Sequence, residues 1–195
     1  MRKVLVIDDH EPSRCHLVSI LAEGGYEIAG QGVNGKTALA LARTADPDVI
    51  LMAVGLPGID GLDTARDMMQ ARPVPIILTT SHYDAATIER AKLARVMAYL
   101  VKPLRAEELN PTIELVITRF REFVALRTEN STLKETLEAR KQIERAKGLL
   151  MQQRGMSEEQ AYTLIKKTSM NLRKPMAEVA QAVIVAGGIF RGDKS

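Results

Sequence analysis

The sequence predicts an α/β protein: a doubly wound, five-stranded parallel sheet, then a long coiled-coil helix and a small three-helix all-α domain. Three observations carry this prediction. Over the first 105 residues five short apolar runs alternate with segments of helical spacing. Those runs are continuous rather than alternating in polarity, as in strands buried on both faces. Beyond Glu107 the runs stop and only helical periodicity remains.

Lys3–Ile7 reads as the first strand, and Tyr26–Gly30, Asp48–Ala53, Val74–Thr79 and Met97–Val101 as the next four. Between them His16–Ala22, Thr37–Arg43, Leu62–Gln70 and Ala86–Leu93 carry helical spacing. Strand–helix repeats of this length wind a parallel sheet. Ligands of such sheets sit at the carboxyl ends of the strands. Function is therefore expected just after Ile7, Ala53, Thr79 and Val101. From Glu107 to Leu150 the strong breaker is Pro111, which suits a first helical turn. Phe123, Leu126, Asn130, Leu133 and Leu137 then alternate three and four apart, the a/d seam of a coiled-coil dimer. Asn130 stands at an a position, where a polar residue sets register and dimer state. Arg140 and Glu144 continue the seam poorly, and the competing reading packs this helix on its own chain. Past Gly155, Ser157 and Gln160 form a capping box for a helix to about Met170. Pro175 opens another that ends near Gly187–Gly188. The expected organisation is a sheet domain over 1–108, a dimerisation helix over 109–140 and a helical domain over 141–195.

Composition narrows the function. With 46% hydrophobic and 26% charged residues, disorder is excluded. No apolar stretch reaches the roughly 20 residues of a membrane span. The opening MRKVLVIDD is cut by aspartates too early for a signal peptide, so a cytoplasmic protein is expected. One cysteine, Cys15, excludes a disulfide framework, and the three histidines show no ligand spacing. Trp is absent and aromatics are 4%, which makes base-stacking platforms thin. From Arg140 onward eleven Lys/Arg face five Asp/Glu, a balance of +6, whereas residues 1–139 carry −3. A basic last third behind an acidic first part fits contact with a polyanion; the plainer reading is a solvated basic face.

At the strand ends stand four residues of one chemistry. Asp8 and Asp9 can hold a hard divalent cation such as Mg²⁺, or simply cap a helix. Thr80 and Lys102, followed by Pro103, suit a phosphoryl group beside such a metal. Each alone is an ordinary loop residue, and the combination is the signal. Gly30-Gln31-Gly32-Val33-Asn34-Gly35 spells a dinucleotide fingerprint but follows the second strand, and the next strand ends in Ala53-Val54 with no acid. It is read as a βα loop.

VLVIDDH at 4–10, PDVILMAVGLPGIDG at 47–61, PIILTTS at 75–81 and AYLVKPL at 98–104 resemble the receiver domain of bacterial two-component response regulators. The resemblance implies a flavodoxin-like receiver. It makes Asp8 and Asp9 the acids that bind Mg²⁺, Thr80 the switch hydroxyl, Tyr99 the rotating aromatic and Lys102 the phosphate-sensing lysine. It also implies a cis bond before Pro103 and a sensor histidine kinase as partner. One departure stands out. The family's phosphate-accepting aspartate is Ala53 here. A methyl group can neither attack a phosphoryl donor nor ligate a metal, so Mg²⁺ affinity should fall. Asp60 is too far along the loop to replace it. Two origins compete: a natural receiver that signals by protein contact, or a substitution introduced at the acceptor. The intact Asp8, Asp9, Thr80 and Lys102 favour the second.

IERAKGLLMQQRGMSEEQAYTLIKKTSMNLRKPMAEVA at 143–180 resembles the ANTAR module of AmiR/NasR-type transcription antiterminators. That resemblance implies binding of RNA hairpins, usually paired ones in a leader transcript, which blocks an overlapping terminator. It implies a regulator and not an enzyme. Arg145, Lys147, Lys166, Lys167, Arg173 and Lys174 are the expected phosphate contacts. Ala146 and Gly148 are small enough to let an RNA loop approach, or to let helices pack closely. Tyr162 can stack on a base, or be a rim residue. The rival functions are a DNA-binding regulator, for which a helix-turn-helix is missing, and an adaptor that touches no nucleic acid.

Overall fold

The structure is a computed structural model that describes residues 1–82 and 85–189. It divides into two compact units, Met1–Val124 and Ala125–Ser195.

The first unit holds β1 (Lys3–Ile7), α1 (Glu11–Glu23), β2 (Glu27–Gly32), α2 (Gly35–Thr44), β3 (Val49–Ala53), α3 (Gly61–Ala71), β4 (Ile76–Thr80), α4 (Ala85–Leu93) and β5 (Ala98–Val101). The strands form one parallel sheet in the order β2-β1-β3-β4-β5. β3 is buried at every residue, which is why its sequence, VILMA, shows no alternation. Alternate side chains feed two cores. Leu5, Ile7, Ile50 and Met52 pack with Ala38, Leu62 and Met68. Val4, Val6, Val49 and Leu51 pack with Leu17, Leu21, Leu109 and Ile113. Most elements start or stop within two or three residues of the sequence reading. α1 is the exception, beginning at Glu11 and not His16. Apolar spacing marks only its buried stripe, whereas Pro12 and the His10 cap, which accepts from the Ser13 N–H, start the helix earlier.

Gly35 begins α2 where a Cβ would lie 2.2 Å from the Thr64 hydroxyl and 3.0 Å from the Ile59 carbonyl oxygen. Close helix approach explains this end of the glycine pattern without any dinucleotide.

α5 (Ala106–Arg154) is one helix of 49 residues. Pro111 lies one turn further in than expected, leaving the Glu107 carbonyl without its helical donor. Burial of Leu109 and Ile113 on either side offsets that loss. In the second unit the later turns of α5 are followed by α6 (Glu158–Leu172) and α7 (Met176–Ile189). Their core is Ala146, Leu150, Ala161, Ile165, Val179 and Ala180. The expected capping box is present: Ser157 Oγ accepts the Gln160 N–H at 3.2 Å, and Gln160 accepts the Ser157 N–H at 2.9 Å. No helix among the described residues is long and apolar enough to cross a membrane.

Candidate functional site

Parallel pairing brings the ends of β1, β3, β4 and β5 to one edge of the first unit. Asp8 lies there fully buried. Its Oδ1 accepts the His10 N–H at 3.1 Å, and its Oδ2 is ion-paired to Lys102 Nζ. Lys102 in turn donates its backbone N–H to the Thr80 carbonyl at 2.7 Å, and the bond to Pro103 is cis. Thr80 Oγ1 accepts the His82 N–H at 3.3 Å. The Tyr99 hydroxyl donates to the His82 carbonyl at 2.8 Å. A cavity of about 580 Å³ gathers Asp9, Ala53, Thr79, Thr80, His82 and Lys102. The fold therefore brings together the residues that the sequence placed at separate strand ends.

Ala53 closes the floor with a methyl group, 4% exposed. Beside it Thr79 is buried and its hydroxyl has no hydrogen-bond partner. Sequence reasoning passed over Thr79, whose register opposite Ala53 is visible only in the sheet. Asp60 is committed elsewhere: it caps α3 through the Leu62 N–H at 2.6 Å and pairs with Arg90 at 2.8 Å. The side chains that could hold Mg²⁺ here are Asp8 and Asp9. The Asp8 carboxylate is already held by Lys102, and no cluster of three metal-ligating side chains occurs among the described residues. All three histidines border the cavity although their spacing gave no hint of it. The His10 ring bonds the Ser13 hydroxyl at 2.8 Å and that of His16 the Leu104 carbonyl oxygen at 3.0 Å.

The second unit sorts its candidates by burial. Ala146 is fully buried in the helical core, so its small size serves packing between α5, α6 and α7. Lys147 is also withdrawn, at 7% exposure. Its Nζ donates to Glu158 at 2.7 Å and to Glu144 at 2.9 Å. These hydrogen bonds, to Glu158 first, raise the lysine above its ordinary pKa, and the same bond holds the Glu158 carboxyl below its own. Both residues thus depart from the expected RNA-facing placement. The reason is the helical stripe Ile143–Ala146–Leu150, which turns that side of α5 inward.

The other candidates remain in water. Arg145, Lys166, Lys167 and Arg173 are exposed, and Tyr162 stands one turn before Lys166 at 44% exposure. Lys174 is exposed but paired with Glu178. Gly148 is exposed, and a Cβ there would meet nothing within 4 Å. Packing gives no reason for that glycine, which costs a helix interior about 1 kcal/mol relative to alanine. On α5 the seam residues Leu126, Leu133 and Leu137 are 66%, 62% and 53% exposed, with Phe123 at 36% and Asn130 also in water.

Comparison with known proteins follows the same division. The family model of the response regulator receiver domain matches residues 4–114, and that of the ANTAR domain residues 131–184. The transcriptional regulatory protein PdtaR of Mycobacterium tuberculosis is 43% identical over 183 residues, 94% of this chain and 89% of its own. The response regulator GacA of Pseudomonas aeruginosa is 35% identical over 118 residues, 60% of this chain and 55% of its own. Among solved structures, the receiver domain of a modulated diguanylate cyclase from Desulfovibrio desulfuricans superposes with a TM-score of 0.59 at 32% identity. It covers 62% of this chain and 97% of that one.

Proposed function

Because the chain belongs to the response regulators, joining a receiver domain to an ANTAR domain, we propose that it is a transcription antiterminator that grips RNA hairpins in leader transcripts. Gly148 is the observation that carries this reading: a helix-weakening residue, open to water, with nothing of its own chain to accommodate. It leaves room for a partner's backbone. Arg145 lies three residues before it, on the same face of α5. Lys166, Lys167 and Arg173 supply phosphate contacts from α6 and its end, and Tyr162 offers a face for an unstacked base. The exposed seam at Phe123, Leu126, Leu133 and Leu137 joins two copies as a coiled coil, with Asn130 setting register. A dimer then presents two such surfaces to a pair of hairpins.

In the receiver, Ala53 gives a sensor histidine kinase no acceptor. When bound in such a pocket Mg²⁺ supplies charge neutralisation for phosphoryl transfer; here Asp8 and Asp9 alone would hold it, weakly. Lys102 is retained by Asp8, Thr80 keeps the Lys102 backbone in place, and Tyr99 stays tied to the His82 carbonyl. The regulator is held in the state that it takes without phosphate.

The test is binding of a paired-hairpin RNA, with duplex DNA as competitor, by the chain and by Gly148→Ala. The variant should be more thermostable and bind the RNA more weakly, and DNA should not compete. Stronger or equal binding by Gly148→Ala, or efficient competition by DNA, would sink the reading.

A further inference from the structure

The receiver carries a second cavity, apart from the one that Ala53, Thr80 and Lys102 line. It opens where β3 and β4 begin, the opposite sheet edge from Ala53 and Thr80, which end those strands. Its volume is about 520 Å³, inside the range of about 300–1,000 Å³ usual for small-molecule sites. The floor is apolar, with Met68, Pro75, Ile117 and Phe120 all buried. The mouth is cationic, carrying Arg43 from α2, Arg72 from just past α3 and Arg121 from α5, all exposed.

These charges are largely uncompensated. Arg72 pairs with Asp46. Arg43 and Arg121 have no carboxylate partner among the described residues. One carboxylate lines the cavity, that of Asp48, and it already accepts the Lys3 N–H at 2.8 Å. A guanidinium stays charged at any working pH, and its planar fork matches a carboxylate. Size decides between occupants. A single helical turn, about 10–12 Å across and about 5.4 Å long, would already fill the hollow, so its volume matches one small molecule.

We propose that this cavity binds a small organic anion with an aromatic or branched apolar body, its acid group taken by Arg43 and Arg121. The apolar body lies against Met68, Ile117 and Phe120. An occupant bridges α2, α3 and about the fourth turn of α5, and so braces the receiver from the side remote from Ala53.

The experiment uses the full chain, 2-naphthoate as probe and the uncharged 2-naphthamide as its control, read by calorimetric titration. Naphthoate should bind one per chain and at least about tenfold tighter than the amide, the scale of a hydrogen bond to a charged group. Arg43→Gln combined with Arg121→Gln should reduce naphthoate to the level of the amide with the thermal melt unchanged. Arg66→Gln, which lies outside the cavity, should change nothing. Ala42→Phe, which fills the cavity, should abolish binding of both. Equal binding of acid and amide would overturn the proposal, as would indifference to the paired arginine change. Capture of an acidic peptide with no response to naphthoate would make the surface a protein-docking site instead.

Discussion

Each unit of this protein contains a lysine largely withdrawn from water, with side chains 15% exposed at Lys102 and 9% at Lys147, and the two are held differently. In the receiver, Lys102 sits against a carboxylate that has no exposure at all, Asp8. In the helical unit, Lys147 lies between Glu144 and Glu158, which are 57% and 69% exposed. Lys102 lines a cavity with room for a ligand, and Lys147 links α5 to the first residue of α6. The difference teaches that a lysine's role follows from what surrounds its ammonium group. Lys102 pairs with Asp8 at the edge of a cavity, whereas Lys147 is consumed by its own fold. Function in the receiver rests on single atoms in a pocket, so substitutions there act all or none. On the proposed reading, function in the helical unit is spread over a solvated surface, so changes there should be graded.

The largest effect expected from this contrast is at position 53. Ala53→Asp should convert a chain that takes up no phosphate from a small phosphodonor with Mg²⁺ into one labelled near stoichiometry. Asp8, Asp9 and Lys102 already stand around the site. Equal labelling of the two proteins would place the acceptor elsewhere and break the contrast.

Next comes the seam on α5. Burying one leucine is worth roughly 1.5–3 kcal/mol, and a dimer buries each position twice, so Leu133→Glu should leave only monomer in sedimentation. A dimer that tolerates the change would pack through another face.

A smaller effect is expected at Ala146. Because it is core and not surface, Ala146→Leu should overpack the helical unit and lower its stability by about 1–3 kcal/mol. Denaturant unfolding that leaves the stability of the unit unchanged would return Ala146 to the surface.

The receiver was far more legible in the sequence than the proposed RNA surface. VLVIDDH and PIILTTS each end a buried strand, AYLVKPL ends the half-buried edge strand β5, and parallel pairing fixes where those ends meet. Residue type and position along the strand therefore sufficed to bring Asp8, Thr80 and Lys102 to one sheet edge. Thr79 was missed because its partner across the sheet is a matter of register. In the helical unit the basic residues were legible as a set, but their sorting was not. Lys147 and Lys166 each follow a core residue, Ala146 and Ile165, and what sets Lys147 apart is its pairing with Glu144 and with the first residue of α6, Glu158. Spacing along one helix contains no information about the next. Gly148 was legible as small; that nothing of its own chain packs there needed the fold.

The salt dependence of hairpin RNA binding tests the central claim most directly. It compares the chain with Lys166→Ala, Lys167→Ala and Lys147→Ala, each first shown to be folded. Each exposed lysine that meets a phosphate should flatten the slope of log affinity against log salt by nearly one unit when removed. Lys166→Ala and Lys167→Ala should do so, and Lys147→Ala should leave the slope as it is while lowering the stability of the helical unit. A slope flattened by Lys147→Ala and untouched by the other two would contradict the account.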